Sequence, residues 1–202
     1  GAGKTTTVKL LSGLLKPDQG KIFLNGYDLE RNALTVKKFI GLLPEHPFLY
    51  PKLTGEEYLH FIADLYNLDL AVNKKIFDLL GIFNLNDFAD ELIESYSLGM
   101  QQKLVLAGII LREPKILFLD EPLVGLDPQT ARVVKEILIK FSKEGKTIFF
   151  CTHILEIAEK LCQRIGIIQQ GKLIALGTIE ELRQKAKVDG NLEDIFFRLT
   201  ES

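Results

Sequence analysis

Short apolar runs that end in polar residues recur along this chain and define its predicted strands. The strongest run is 116–119, four apolar residues that lead directly into Asp120 and Glu121. An uninterrupted apolar run of this length is typical of a strand that is buried on both faces of a parallel sheet. Further strands are predicted at 40–43 and 148–151. Because ligands bind outside the carboxyl ends of such strands, the polar residues that follow them are candidate site residues.

Between the predicted strands the apolar residues favour helices. A helix is predicted from Thr6 to about Leu15, and another from Pro128, a good first helical residue, to the break at Gly145. Strands that alternate with helices predict an α/β fold with a mainly parallel sheet flanked by helices.

The pattern changes between about residues 46 and 95, where no strand is predicted. Thr54 and Glu57 form a capping box, and apolar side chains follow on one face of the helix that it starts. A second helix is predicted at 72–80. We interpret 46–95 as an α-helical subdomain inserted into a core made of 1–45 and 96–202. Plain packing would explain such a block, but a helical insertion next to a nucleotide site is also a reasonable docking surface.

Composition is that of an ordinary globular domain. Of the 202 residues 47% are hydrophobic and 26% are charged, and the formal net charge is −2, so no electrostatic signature of nucleic-acid binding is present. The longest apolar run, 104–111, is shorter than the about 20 residues that a membrane span needs. Cys151 and Cys162 stand among apolar residues, which favours buried thiols in a reducing compartment over a disulfide.

The first residues match the second half of the phosphate-binding motif G-x-x-x-x-G-K-[ST], with Gly3, Lys4 and Thr5 in its last three positions. Glycine lets backbone N–H groups close around phosphate oxygens, lysine reaches the outer phosphates, and the threonine hydroxyl suits Mg²⁺. The alternative to a phosphate-binding loop is an ordinary glycine-rich turn before a helix. The chain opens within the motif, so we expect that it lacks its natural N-terminus.

Two further polar sites follow the same logic. Ser97 and Gly99 precede a helix predicted at 101–111, where they suit an anion, although an ordinary serine N-cap is the simpler interpretation. His153 follows the strand at 148–151, at the edge that Asp120 and Glu121 occupy if the sheet is parallel. A single histidine at a strand end is more often a surface or core residue.

Taken in order, these motifs resemble the nucleotide-binding domain of an ABC (ATP-binding cassette) transporter, and the resemblance covers essentially the whole chain. The matching stretches are 1–6 with Walker A, 44–45 with the Q-loop, 96–100 with the signature motif, 116–121 with Walker B, 125–127 with the D-loop and His153 with the switch histidine. The resemblance implies a P-loop NTPase fold with a RecA-like core.

The chain departs from the family pattern at three positions. Glu45 replaces the usual glutamine, which adds a negative charge and removes an amide donor. In the signature motif, Leu98 and Met100 replace a glycine and a glutamine. This signature and the preceding Leu-Pro-Glu are similar to those of ABC-2-type exporters.

The resemblance implies a role for each candidate residue, with ATP and Mg²⁺ as cofactors. Residues that bind the nucleotide from the same chain are Gly1, Ala2, Gly3, Lys4, Thr5 and Thr6. Residues that reach the ATP of a second nucleotide-binding domain are Ser97, Gly99 and Asp127. The metal is held by Thr5, Asp120 and Glu45, and hydrolysis depends on Glu121 as general base, His153 and Glu45.

The implied partners are a second nucleotide-binding domain and a transmembrane permease, with no nucleic acid. The implied location is the cytoplasmic face of the cell membrane. Two alternatives share these motifs: a soluble ABC ATPase that acts on ribosomes or DNA, and an ATP-gated clamp that does not hydrolyse. Because half of the phosphate loop is missing, we expect the 202-residue piece to bind ATP poorly by itself.

Overall fold

The computed structural model of the protein describes residues 1–69 and 71–200. Its α-helices are α1 (Lys4–Leu11), α2 (Ala33–Phe39), α3 (Gly55–Leu65), α4 (Val72–Ile82), α5 (Leu98–Leu111), α6 (Pro128–Lys143), α7 (Leu155–Leu161), α8 (Ile179–Ala186) and α9 (Leu192–Thr200). Its strands are β1 (Phe23–Leu24), β2 (Tyr27–Asp28), β3 (Ile40–Leu43), β4 (Ile116–Asp120), β5 (Thr147–Cys151), β6 (Ile165–Gln169) and β7 (Lys172–Gly177). The predicted ranges also include Leu70 and residues 201–202, which lie outside the described residues.

The centre of the fold is a parallel sheet in the order β3-β4-β5. Leu43 is paired with Leu119, which is paired in turn with Phe150, so the three strands end at one edge. Leu117, Phe118 and Leu119 are buried, as expected for a strand covered on both faces. The predicted α/β fold with a parallel sheet is confirmed.

Successive residues of β4 point to opposite faces and belong to separate apolar clusters. Phe118 packs with Val8 of α1 and Val36 of α2 on one face. Leu117 and Leu119 belong to the cluster formed by α5 and α6 on the other face. The sheet is therefore covered by helices on both sides, which explains why the sequence of its central strand is almost wholly apolar.

Residues 46–95 form α3, α4 and two 3-10 turns, Asn86–Phe88 and Ile93–Ser95. The predicted capping box at the start of α3 is present, with Thr54 accepting from the Glu57 backbone and Glu57 accepting from the Thr54 backbone. Apolar residues of α3 and α4 share one continuous core with α5 and the sheet. Helix α5 thus lies between the helical block and the sheet and is apolar around most of its circumference.

Helix α4 extends two residues past its predicted end, to Ile82, and the bounds of α1 and α5 also differ from the prediction. Helix α1 ends at Leu11 because Gly13 adopts a left-handed conformation (φ 75°) and the Leu14 N–H donates back to the Lys9 carbonyl. Helix α5 begins at Leu98, three residues earlier than predicted, because the Ser97 side chain accepts from the Met100 N–H.

Two antiparallel hairpins lie beside the parallel sheet. Asn25-Gly26 and Gln170-Gly171 turn the chain with positive φ at both residues, the conformation that favours tight hairpins. The β6-β7 hairpin packs with α8 and α9 around a second apolar cluster. Its tip reaches the start of the chain, where the Gly171 N–H donates to the Ala2 carbonyl at 3.0 Å.

Candidate functional site

The carboxyl edge of the parallel sheet collects the polar residues that follow its strands. Asp120 ends β4 in register with Cys151 at the end of β5, so Glu121 and Thr152 are the next residues on neighbouring strands. Glu45 follows β3 at the same edge and is exposed. No hydrogen bond or ion pair holds the Glu45 side chain within residues 1–69 and 71–200.

The Glu121 carboxylate is held by two side chains from the end of β5. Its Oε1 lies 2.8 Å from Nδ1 of His153, and its Oε2 accepts from the Thr152 hydroxyl at 3.0 Å. The Glu121 backbone has φ 51°, a conformation that only a few per cent of residues other than glycine adopt, and its N–H donates to the Cys151 carbonyl. Glu121 is only 8% exposed. Backbone and side chain together fix the direction of this carboxylate.

His153 is the solvent-exposed member of its pair with Glu121. Its side chain is 65% exposed, whereas that of Glu121 is 10% exposed. A neutral imidazole with the proton on Nδ1 donates to Glu121 and leaves Nε2 as an acceptor, while a protonated ring donates from both nitrogens. The arrangement therefore presents an imidazole at the surface with a buried carboxylate behind it.

Asp120 is almost completely buried, with 1% exposure, and neither carboxylate oxygen has a hydrogen-bond partner in the described part of the chain. A buried carboxylate without a partner is unfavourable unless a cation or ordered water satisfies it. The oxygens of Asp120 therefore fit a hydrated Mg²⁺, which takes one or two carboxylates together with substrate phosphates. Such a site needs no cage of protein ligands, and no group of three or more His, Cys, Asp or Glu suited to a metal occurs among the described residues.

The phosphate loop turns into α1 at Gly3, whose φ of 107° is open to glycine but not to other residues without strain. No side chain caps this helix, so the N–H groups of its first turn are not satisfied by a capping residue. A β-carbon at Gly3 would lie 3.4 Å from the Cα of Gly171 at the tip of the β6-β7 hairpin. The start of α1 therefore offers free donors and partial positive charge to an anion.

The surroundings of the buried Cys151 thiol indicate that the phosphate loop lies close to the carboxylates of Asp120 and Glu121. Burial, together with the negative charges of Asp120 and Glu121, raises the pKa of the Cys151 thiol to about 12, whereas the positive charge of Lys4 opposes this rise. Cys151 also lies in the apolar cluster that holds Val8 of α1. The Lys4 ammonium thus acts electrostatically on the same atom as the two carboxylates.

Ser97 and Gly99 lie at the start of α5, and Asp127 lies at the start of α6. The side chains of Ser97 and Asp127 are engaged in contacts within the chain. Ser97 acts as the N-cap of α5, and Asp127 accepts from the Thr130 N–H as the N-cap of α6. Asp127 also forms an ion pair with Lys103 at 2.8 Å. Within the described ranges no hydrogen bond or ion pair joins these side chains to Lys4, Glu121 or His153.

Sequence reasoning missed three residues of this region. Thr152 lies between the predicted strand 148–151 and the candidate residue His153, and that position was the available signal for it. No local sequence pattern singles out Lys103 or Gln102, because the residues beside them, Asp127 and Gly125, lie more than 20 positions further along the chain. The Gln102 Oε1 atom is buried beside Gly125 and has no hydrogen-bond partner in the part of the chain that the structure describes.

Comparisons with known proteins agree with this geometry. The family model described as "ABC transporter" matches residues 1–124. The linearmycin resistance ATP-binding protein LnrL of Bacillus subtilis is 37% identical over 183 residues, 90% of this chain and 59% of that protein. The daunorubicin resistance ATP-binding protein DrrA3 of Streptomyces coeruleorubidus is 39% identical over 199 residues, 98% of this chain and 62% of that protein.

A solved structure described as the ATP-binding subunit of an ABC transporter superposes with a TM-score of 0.94 at 34% identity, covering 98% of this chain and 84% of that one. The chain thus spans about three fifths of the length of the two curated relatives. Among the helices of the described residues, none has both the length and the apolar character required to cross a membrane. The family match over residues 1–124, the P-loop α/β fold and the similarity to the ATP-binding subunit together show that the chain belongs to the ABC transporter family.

Proposed function

We propose that this chain is the ATP-binding and ATP-hydrolysing part of an ABC transporter. The observation that carries the proposal is the pair at the end of β4: a buried Asp120 with two unpartnered oxygens, followed by Glu121 held by Thr152 and His153. The relatives LnrL and DrrA3 are both described as ATP-binding proteins, which supports ATP as the nucleotide.

In the proposed site the triphosphate lies over the first turn of α1. Backbone N–H groups of 1–3, Thr5 and Thr6 surround the phosphate oxygens, and Lys4 neutralises the outer phosphates. The apolar cluster that Val8 of α1 shares with Phe118 and Cys151 supports this placement, because it holds α1 against the strands that end in Asp120 and Cys151.

Asp120, Thr5 and Glu45 are proposed to hold Mg²⁺. Bound there, the cation would supply positive charge to the phosphate oxygens. Asp120 contributes a carboxylate that cannot reach solvent and has no other partner in the described residues, which supports its role. Glu45 is exposed and follows β3, so it has room to approach or leave the phosphates.

Glu121 is proposed as the general base that orients and deprotonates the attacking water. Thr152 and His153 determine its direction, and the exposed ring of His153 is placed to contact the γ-phosphate. No covalent intermediate is needed, because hydrolysis of a phosphoanhydride depends on positioning and charge stabilisation.

Ser97, Gly99 and Asp127 are proposed to face the ATP of a second nucleotide-binding domain in a head-to-tail dimer. The exposure of Ser97 and the partial exposure of Gly99 at the start of α5 support this, because a neighbouring chain has access to them there.

A transmembrane permease is proposed to dock on the helical block of residues 46–95, the smaller of the two parts of the proposed domain. This block exposes Phe48, Tyr50 and Phe61, and the rings of Tyr50 and Phe61 stack edge to face. Large exposed aromatic side chains are typical of interaction sites. The proposed location is the cytoplasmic face of the membrane, and the resistance proteins among the relatives support export as the direction.

The test is phosphate release by the full-length protein with ATP, with and without Mg²⁺, both alone and co-expressed with a candidate membrane subunit. We expect Mg²⁺-dependent hydrolysis and co-purification with the membrane subunit. ATP binding without phosphate release would instead indicate an ATP-gated clamp. Hydrolysis by a protein that co-purifies with ribosomes or DNA would contradict the transport function.

A further inference from the structure

Lys103 and Asp127 connect two helices that meet next to the proposed catalytic site. The Lys103 side chain is only 14% exposed, and its Nζ lies 2.8 Å from Oδ2 of Asp127. The same carboxylate accepts from the Thr130 N–H at 2.9 Å and from the Thr130 hydroxyl at 2.7 Å. One aspartate therefore joins the middle of α5 to the N-terminus of α6.

The loop between Glu121 and Asp127 also touches the first turn of α5 directly. A β-carbon at Gly99 would lie 3.0 Å from the Gly125 carbonyl oxygen, closer than nearly all real contacts of this kind. Gly125 has φ 79°, which directs the loop into this position. A side chain at position 99 would therefore press on the loop of its own chain, whatever else Gly99 binds.

The other end of this loop is fixed to the backbone of Glu121, the proposed base. The Val124 N–H donates to the Glu121 carbonyl at 3.2 Å, which closes a turn immediately after Glu121. The buried, unpartnered Oε1 of Gln102 faces Gly125 from α5, so the contact between loop and helix includes a polar acceptor that a small movement of the loop could satisfy.

We propose that Lys103 is a positioning residue whose ion pair with Asp127 makes the loop after Glu121 and the first turn of α5 move as one unit. This inference rests on the proposed function, in which Glu121 acts on the ATP of its own chain while Ser97 and Gly99 face the ATP of the neighbouring chain. The pair is mostly shielded on the lysine side, so its geometry is better defined than that of an exposed ion pair.

The experiment compares variants of the full-length protein by steady-state ATP hydrolysis. Lys103→Met removes the charge but keeps most of the apolar stem, Lys103→Arg keeps the charge, and Asp127→Asn keeps a good N-cap but removes the ion pair. Lys160→Met is the matched control, because it breaks an ion pair of similar length, Lys160–Glu156, on exposed α7.

We expect Lys103→Met to lower kcat about tenfold with little change in KM for ATP, because binding by the phosphate loop is intact but alignment is lost. Lys103→Arg should restore most of kcat, and the double variant Lys103→Met/Asp127→Asn should be no worse than the more damaging single variant. Equal kcat for Lys103→Met and Lys160→Met, or additive losses in the double variant, would overturn the inference.

A wild-type protein that releases no phosphate would contradict the proposed function and not this inference. Hydrogen exchange then provides the second measurement. In Lys103→Met, but not in Lys160→Met, the amides of Met100 and Gln101, which donate to Ser97, and of Val124, which donates to Glu121, should lose protection together. Faster exchange in the loop alone, with the first turn of α5 unchanged, would show that the two do not form one unit.

Discussion

Nδ1 of His153 lies 2.8 Å from Oε1 of Glu121, although 32 positions separate the two residues in the chain. The register of the sheet explains the contact. Because Asp120 is paired with Cys151, the residues that leave β4 and β5 emerge side by side. A histidine two residues past one strand can therefore reach a glutamate one residue past the other.

The first prediction concerns the proposed base. Glu121→Gln keeps the size of the side chain and an oxygen for Thr152 but cannot accept a proton. We expect ATP binding to persist and phosphate release to fall by about 10²–10⁴-fold, the range attributed to general base catalysis. The measurement is equilibrium ATP binding together with phosphate release by the full-length protein.

Glu136→Gln on the exposed face of α6 serves as the control for this substitution, because it removes a surface carboxylate that forms an ion pair with Arg132. It should hydrolyse ATP at the parent rate. A Glu121→Gln variant that also turns over at the parent rate would remove Glu121 from the role of base.

The second prediction concerns Thr152, which holds the other oxygen of the same carboxylate. Thr152→Val is nearly isosteric and removes the hydroxyl that donates to Glu121 and accepts from the Ile154 N–H. A hydrogen bond to a charged group contributes about 1.5–3 kcal/mol, so we expect kcat to fall by roughly tenfold or more with KM for ATP nearly unchanged. Steady-state kinetics of the full-length protein measure both constants.

Thr152→Ser separates the hydroxyl from the shape of the side chain. It retains the donor and should keep most of the wild-type kcat. If Ser and Val variants lose activity equally, packing of the methyl group and not the bond to Glu121 is what matters at this position.

The backbone of this fold was largely predictable from local signals. The apolar run of β4 identified a strand covered on both faces, and the capping box at Thr54 marked the start of α3. These features depend on residues that are adjacent in sequence, where periodicity and capping chemistry apply directly.

The site was predictable only in part, because its contacts depend on register and packing. A sequence shows that Glu121 and His153 follow strands, but not that Thr152 holds the second oxygen of Glu121. The pair of Lys103 with Asp127 joins residues 24 positions apart on different helices, and no local pattern indicates it. The proposed roles of Ser97 and Gly99 across a dimer stay predictions, since one chain contains only half of that interface.

The third prediction tests this interface. Ser97→Arg places a long cation at the exposed start of α5, where the proposed dimer brings the signature residues against the neighbouring ATP. We expect the full-length variant to bind ATP but to form no ATP-dependent dimer, as measured by light scattering in a Glu121→Gln background that prevents hydrolysis. Ser142→Arg, at an exposed position near the end of α6, should dimerise normally. ATP-dependent dimers of the Ser97→Arg variant would refute the assignment of this face.

The last prediction concerns the support beneath the signature residues. Gly55 is the first residue of α3, and a β-carbon there would collide with the hydroxyl oxygen of Tyr96, the residue that precedes Ser97. Tyr96 is buried and donates to the Phe88 carbonyl at 2.6 Å, so its ring cannot move away without losing that bond. Gly55→Ala should therefore destabilise the protein by about 1–3 kcal/mol, the usual cost of overpacking, as measured by urea unfolding.

Removing the colliding atom provides the internal test. Tyr96→Phe by itself should cost about 1 kcal/mol because the Phe88 carbonyl loses its donor, but in that background Gly55→Ala should cost much less than in the wild type. Gly81→Ala is the control, since Gly81 lies within α4 and its β-carbon would meet only the mobile end of Asn86, so alanine there should be neutral or stabilising by up to about 1 kcal/mol. An equal cost of Gly55→Ala with and without the Tyr96 hydroxyl would show that the helical block does not press on Tyr96, and that α3 does not determine where the chain enters the signature motif.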